Sequence, residues 1–144
     1  MINKYPYTLL YTLLLTTTLL SVDTLAETGK RPDVASAKNG KPLYETYCQS
    51  CHGEQGVGEP APPMSIRDPS FFFAPALDDS QHAWHHSDED LVKFILEGSP
   101  RTPRMVAWKK VLSRTDVRNI VAYIKSLWGD RAIKCQGPKH MSCM

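Results

Sequence analysis

The sequence has little of several features that would indicate other classes of protein. Its four cysteines in 144 residues are too few for a domain held together mainly by disulfides. Seventeen lysines and arginines are balanced by fifteen aspartates and glutamates, and a net charge of +2 argues against a general nucleic-acid-binding protein. No segment has the pattern of a confident β-strand. At this length, one all-α domain is expected.

The N-terminal segment 1–26 has the organisation of a secretory signal peptide. Lys4 is the only charge before an apolar stretch at 7–22 that contains five threonines. This stretch is shorter than the roughly 20 apolar residues that span a membrane. Thr24 and Ala26 fit a cleavage site, so cleavage after Ala26 is the preferred interpretation and an uncleaved membrane anchor is the alternative. Both place the folded part in the periplasm or elsewhere outside the cytoplasm, with membrane attachment only through an uncleaved anchor.

Helical periodicity and capping signals predict three short helices separated by irregular chain. They are expected from Gly40 to Cys51 with Asn39 as cap, from a capping box at Ser87 to Gly98, and from a capping box at Ser113 to Gly129. The chain then divides into the signal or anchor at 1–26, a flexible polar lead-in at 27–39, a folded domain at 40–129 and a C-terminal tail at 130–144.

The segment Cys48-Gln49-Ser50-Cys51-His52 carries the clearest chemical signal. Two cysteines three positions apart and a following histidine form the attachment pattern of haem c. Each thiol can add to one haem vinyl group, and the histidine then binds the iron from the proximal side. A disulfide or half of a zinc site are the alternatives, but no second ligand pair lies at a suitable spacing. One covalently attached haem c is the expected cofactor.

A six-coordinate haem iron needs a second axial ligand, and Met105 is the preferred one. It lies in an irregular basic loop between two predicted helices, where it could cross the distal face. A lone methionine more often fills a core, but this loop lacks apolar neighbours on both sides. The other candidates are Met64, His82, His85, His86, His140 and Met141.

The order of motifs resembles that of monohaem class I c-type cytochromes. The chain reads GxxxYxxxCxxCHGxxGxG over 40–58, APPM over 61–64, ILEGSPRTPRM over 95–105 and LSRTDVRNIVAYIKSL over 112–127. The resemblance covers about residues 38–128. It implies a small cytochrome c fold, with three or more short helices around one covalently bound haem, and a role in one-electron transfer.

The resemblance also implies roles for individual residues. Cys48 and Cys51 would form the thioether bonds, and His52 and Met105 would be the axial ligands. In addition, the Pro62 carbonyl would accept the Nδ1 proton of His52, Met64 would pack on the haem, and Gly40 and Tyr44 would lie against Ile120 and Tyr123. The chain departs from the family pattern at Val106, where a proline is usual, and in a longer stretch at 66–86.

Two segments carry features that the resemblance does not explain. His82-Ala83-Trp84-His85-His86 could be a second metal site, a loop whose Trp84 packs on the haem edge and reaches a propionate, or a plain surface loop. In the tail, Cys135 and Cys143 are expected to form a disulfide in an exported protein. Together with His140, Met141 and Met144, they are also soft ligands suited to copper(I).

Charge is distributed unevenly along the chain. Residues 27–97 carry six basic and twelve acidic side chains, whereas 101–139 carry ten basic and two acidic ones. The cations around Met105 predict a basic face that docks on an acidic redox partner: Arg101, Arg104, Lys109 and Lys110. The expected function is electron transfer rather than catalysis, without a nucleic acid or small-molecule substrate. A haem enzyme or gas sensor with a displaceable Met105, or a copper-handling protein that uses the tail, is the alternative.

Overall fold

A computed structural model describes residues 28–68 and 70–143, and within them the regular structure is helical, without strands. The expected all-α class is confirmed. The helices are α1 (Val34–Tyr47), α2 (Gln49–His52), α3 (Asp88–Glu97), α4 (Arg114–Ser126) and α5 (Asp130–Lys134), with single 3₁₀ turns at Glu54–Gly56, Met64–Ile66 and Ala83–His85 and a longer 3₁₀ segment at Gly137–Cys143. No helix in these ranges is long and apolar enough to cross a membrane. The predicted signal or anchor at 1–26 lies outside the described residues.

The first helix begins at Val34, so the prediction of a flexible lead-in up to residue 39 is wrong. The cap is Asp33, whose carboxylate accepts a hydrogen bond from the Ser36 amide at 2.8 Å, and not Asn39. Glycine disfavours a helix interior, which made Gly40 resemble a helix start. Tertiary packing overrides that preference, because Gly40 is buried inside α1.

The lead-in is also bound to the rest of the domain. The Gly29 amide donates to Oε1 of Gln136 at 2.9 Å, and the Thr28 hydroxyl accepts from the Asp88 amide at 3.1 Å. Arg31 donates to the Trp128 carbonyl at 2.6 Å. These contacts hold the start of the described chain against α3, α4 and the C-terminal tail.

Helices α1 and α4 cross at Gly40. A Cβ atom there would lie 1.8 Å from the Asn119 carbonyl oxygen, so only glycine allows the two backbones to come this close. One turn later, the rings of Tyr44 and Tyr123 lie 5.0 Å apart, and Ile120 is fully buried. The packing that the family resemblance implied for these two helices is therefore present.

The capping signals predicted the starts of α3 and α4 correctly. The Ser87 and Ser113 hydroxyls each accept a hydrogen bond from the backbone of the third helical residue, and both capping boxes are complete. Helix α3 ends at Gly98 as expected. Helix α4 ends at Ser126 rather than at Gly129, which is instead the N-cap of α5.

The C-terminal tail folds back on the domain and contains the expected disulfide between Cys135 and Cys143. Its docking is centred on a buried ion pair, in which Lys125 Nζ lies 2.9 Å from both carboxylate oxygens of Asp88. Gln136 donates to the same carboxylate at 2.6 Å. A buried charge pair of this kind needs such extra hydrogen bonds, and they connect α3, α4 and the tail.

Replacing Gly40 by alanine should destabilise the domain strongly, because the new methyl group would overlap the α4 backbone. We expect a loss of about 3 kcal/mol or more in the free energy of unfolding, measured by denaturant titration of the haem-containing protein. Asn39→Ala is the matched control on the exposed side of the same helix, with an expected change within about 0.5 kcal/mol. Equal stability of the two variants would contradict the close crossing.

Candidate functional site

The two cysteines of the CxxCH segment lie where α1 gives way to α2. The Cys51 and His52 amides both donate hydrogen bonds to the Cys48 carbonyl, at 3.2 and 2.9 Å. The three side chains therefore share one helical turn. Both cysteines are free thiols. Cys48 is buried, and burial together with the neighbouring Cys51 raises the pKa of Cys48 to about 11, whereas Cys51 is exposed.

His52 is buried and oriented by a backbone carbonyl. Its Nδ1 atom lies 2.9 Å from the Pro75 carbonyl oxygen, so Nδ1 carries the proton and Nε2 keeps its lone pair for a metal. Burial lowers the pKa of His52, and the Pro75 carbonyl opposes this shift only in part. The neutral imidazole that iron binds is therefore favoured.

The prediction that the Pro62 carbonyl accepts the hydrogen bond from His52 Nδ1 is wrong, because the carbonyl that accepts it belongs to Pro75. The Pro62 carbonyl instead accepts hydrogen bonds from the Arg67 guanidinium, at 3.1 and 3.3 Å. The residue two positions beyond the accepting proline is Leu77, which is partly buried against the core. Met64 is 78% exposed. The haem-packing role predicted for Met64 was inferred from its place two residues after Pro62, and Leu77 has that place relative to Pro75.

Backbone pairing explains why the later proline is used. The Leu77 amide donates to the Gly56 carbonyl at 2.7 Å, and the Glu59 amide donates to the Ala74 carbonyl at 3.0 Å. Segments 56–59 and 74–77 thus lie side by side, and residues 60–73 form a loop between them. The Trp128 indole donates to the Leu77 carbonyl at 2.8 Å and holds the returning segment. The returning segment therefore brings Pro75, rather than Pro62, to His52.

The loop that carries Met105 is packed on the end of α3. The Ser99 amide donates to the Met105 carbonyl at 3.0 Å, and the Trp108 amide donates to the Ile95 carbonyl at 3.1 Å. A Cβ atom at Gly98 would lie 2.7 Å from the Met105 carbonyl oxygen, and Gly98 has φ = +79°, so glycine is needed there for both reasons. Met105 itself is partly buried against the core.

The structure brings this loop and the cysteine turn to the same side of the domain. The Tyr47 and Trp108 rings pack edge to face, 5.3 Å apart. Arg104, the residue before Met105, donates hydrogen bonds to Glu59, and these bonds are the chief cause of its raised pKa. Two free thiols, a neutral oriented imidazole and a nearby methionine loop fit a covalently attached haem.

Trp84 packs against the C-terminal tail, and the role at the haem edge, one of the alternatives given for it, stays a prediction. It is buried, its ring lies 4.2 Å from His85 and 6.4 Å from His140, and the Arg131 guanidinium lies 5.9 Å from its centroid. The sequence could not show this contact, because the tail reaches Trp84 only through the folding of residues after α5.

The second metal site and the copper site receive no support. In the described part of the chain, no three His, Cys, Asp or Glu side chains are grouped to hold a metal ion. The His85 and His140 rings stack face to face at 4.4 Å and 10°, so they do not converge on one ion. Cys135 and Cys143 are joined in a disulfide and offer no thiolate to copper.

Comparison with known proteins agrees with the haem-binding arrangement. The family model for cytochrome C oxidase, cbb3-type, subunit III matches residues 35–124, which include both cysteines, His52 and Met105. The chain belongs to this family of c-type cytochromes. Membership means that the cytochrome carries covalently bound haem c and takes part in electron transfer. Its disulfide-bonded tail lies beyond the matched residues.

Two curated relatives are both cbb3-type cytochrome c oxidase subunits CcoP. The cytochrome is 30% identical to that of Azospirillum brasilense over 99 residues, which cover 69% of this chain and 31% of the relative. It is 26% identical to that of Azospirillum sp. (strain B510) over 107 residues, or 74% of this chain and 34% of the relative. It thus spans about one third of the length of these relatives. No solved structure matches it significantly.

Removing both thiols should abolish haem attachment and most of the folded structure. Burying haem removes several hundred Å² of apolar surface from water, roughly 10 kcal/mol at about 25 cal/mol/Å², which is comparable with the net stability of a domain. Cys48→Ala/Cys51→Ala should therefore lose covalent haem absorbance and most helical circular dichroism. Cys135→Ala/Cys143→Ala is the control: it should keep its haem and lose only about 2.5 kcal/mol. A fully helical, haem-free protein would contradict the prediction.

Proposed function

We propose that this cytochrome is a one-electron carrier outside the cytoplasm, in which Cys48 and Cys51 hold the haem and His52 and Met105 bind its iron. The bound haem supplies the one-electron change between Fe(II) and Fe(III). The observation that carries the proposal is the hydrogen bond from His52 Nδ1 to the Pro75 carbonyl, formed beside two free thiols. Because this hydrogen bond places the proton on Nδ1, the Nε2 nitrogen of His52 is available to bind iron.

His52 and Met105 would bind the iron, and their neighbours in the structure keep them in place. The Pro75 carbonyl fixes the His52 ring and increases its basicity as a ligand. The Met105 thioether favours reduced iron and so raises the potential. If His52 and Met105 both bound the iron, a substrate or gas would reach the metal only by displacing Met105, which favours an electron carrier over a haem enzyme or gas sensor.

The names of the relatives indicate the class of redox partner. Both are subunits of a cbb3-type cytochrome c oxidase, and we propose that this cytochrome exchanges electrons with proteins of such a terminal oxidase system. The signal-like segment 1–26 supports a position in the periplasm or at the outer face of the membrane, where haem c is attached.

The docking face that we propose is smaller than the sequence predicted. Arg104 is engaged by Glu59, with nitrogen–oxygen distances of 2.6 and 2.8 Å, so the free basic charge comes from Arg101, Lys109 and Lys110. Exposed apolar side chains lie next to these cations along the chain: Val106, between Arg101 and Lys109, is 50% exposed, and Val111, directly after Lys110, is 60% exposed. An apolar patch with a charged rim is typical of transient protein interfaces.

Replacing Met105 by alanine should keep covalent haem but open one axial position. We expect the reduction potential to fall, because water or another weak ligand would replace a thioether that favours Fe(II). The weak red charge-transfer band of ferric iron bound to a methionine sulfur should disappear, and the ferrous form should bind CO rapidly. Met64→Ala, at an exposed methionine, is the control and should leave all three properties unchanged. An unaltered band in Met105→Ala would assign the ligand to another residue.

Reversing Lys109 and Lys110 to glutamate should slow association with an acidic partner and leave the potential unchanged. Rim charges act chiefly on the association rate, and their effect falls with salt because the Debye length is only about 8 Å at physiological ionic strength. The measurement is the second-order electron-transfer rate over increasing salt. Lys134→Glu/Lys139→Glu makes the same charge change in the tail and should have a smaller effect. A rate independent of salt would contradict a basic docking face.

A further inference from the structure

We propose that the ion pair between Glu59 and Arg104 is a positioning clamp that joins the supports of the two axial ligands and slows the departure of Met105 from the iron. This inference rests on the proposed function, in which His52 and Met105 are the ligands. Neither member of the pair touches the haem in the proposed arrangement. Both act through the residues next to them in the chain.

Arg104 is held from several directions by the chain around residues 59–72. Its two terminal nitrogens donate to the two carboxylate oxygens of Glu59 at 2.8 and 2.6 Å, which is bidentate geometry. One of these nitrogens also donates to the Phe72 carbonyl at 2.8 Å. The guanidinium lies 4.5 Å from the centroid of the Phe71 ring. Since Met105 is the next residue, its backbone is anchored at this point.

Glu59 connects the same anchor to the proximal side. Its Oε2 accepts a hydrogen bond from the Ala74 amide at 2.8 Å, and its own amide donates to the Ala74 carbonyl at 3.0 Å. Ala74 immediately precedes Pro75, whose carbonyl orients His52. One carboxylate therefore joins the residue before Met105 to the residue before Pro75.

The clamp adds a second anchor beside Met105, in the middle of the loop. Met105 itself is held on the end of α3 by the hydrogen bond from the Ser99 amide to its carbonyl, and the Trp108 and Lys109 amides attach the far end of the loop to the same helix. The Arg104 and Glu59 side chains are 34% and 25% exposed. A partly shielded bidentate pair contributes more than the fully exposed pairs that are often without measurable effect.

Two single substitutions and their combination test the clamp in the haem-containing protein. Glu59→Gln removes the charge but keeps an oxygen that can accept from the Ala74 amide. Arg104→Lys keeps the charge but loses the bidentate geometry. The control is Glu89→Gln, which removes another Arg–Glu pair, between Arg114 and Glu89, at the starts of α3 and α4.

The measured quantity is the rate at which CO binds the ferrous protein, because Met105 must leave the iron first. Glu59→Gln and Arg104→Lys should each raise this rate by roughly threefold to tenfold, and tenfold corresponds to about 1.4 kcal/mol. The double variant should be no faster than the faster single one, as expected for residues that act as one unit. Glu89→Gln should bind CO at the wild-type rate, and unfolding free energies measured in parallel show whether a rate change merely follows lost stability.

The outcomes separate the clamp from the proposed function. If the wild-type protein shows the methionine charge-transfer band and Glu59→Gln binds CO at the wild-type rate, the clamp alone is overturned. A rate that rises equally in Glu59→Gln and Glu89→Gln, in proportion to lost stability, would also overturn it. A wild-type protein that lacks the band and binds CO rapidly would overturn the Met105 ligation and the clamp with it.

Discussion

The crossing of α1 over α4 at Gly40 is the constraint on which the haem-binding residues depend. With no side chain at that position, the helices approach closely enough for Tyr44 to lie against Tyr123 in the core. The Tyr44 hydroxyl then donates to the Gly53 carbonyl at 2.8 Å, and burial raises the pKa of Tyr44, so this hydroxyl keeps its proton. Gly53 directly follows His52. A contact between two helix backbones is thus transmitted through one buried tyrosine to the end of the CxxCH turn.

The two proposed iron ligands, His52 and Met105, are supported by irregular chain that is held at defined points. Segment 74–77 is fixed between the Gly56 carbonyl and the Trp128 indole, and the Met105 loop is fixed on the end of α3 at Gly98. A Cβ atom at Gly58 would lie 2.6 Å from the Ala76 amide nitrogen, so close backbone approach is needed here as well. Backbone hydrogen bonds and close backbone contacts hold these loops in one geometry, although they lack the side-chain packing of two helices. A carrier that must present the same ligands to Fe(II) and Fe(III) depends on this pre-organisation.

Features that depend on residues close together in the sequence could be predicted, whereas features that depend on contacts between distant parts of the chain could not. Helices α3 and α4 begin at capping boxes whose members are three residues apart, and the chemistry of Cys48 to His52 is contained in five consecutive residues, so local patterns were sufficient for both. The start of α1 was missed because the burial of Gly40 depends on α4, far away in the chain. Pro62 and Pro75 could not be distinguished by position alone, since the choice depends on backbone pairing between 56–59 and 74–77. The packing of Trp84 could not be predicted for the same reason, because two of its partners, Arg131 and His140, are in the tail.

The uneven charge of the chain serves folding before it serves recognition. The acidic first part and the basic second part meet in ion pairs. Lys125 is buried on Asp88, Arg104 binds Glu59 in a partly exposed pair, and Arg114 and Arg118 both approach Glu89 at the surface. Much of the excess basic charge at 101–139 is thereby neutralised by the acidic residues that precede it. The cations that stay exposed near Met105 are few and close to Val106 and Val111. In the docking that we propose, a partner would need only a small acidic rim around an apolar patch, and specificity for it would depend on the loop that also carries the proposed iron ligand.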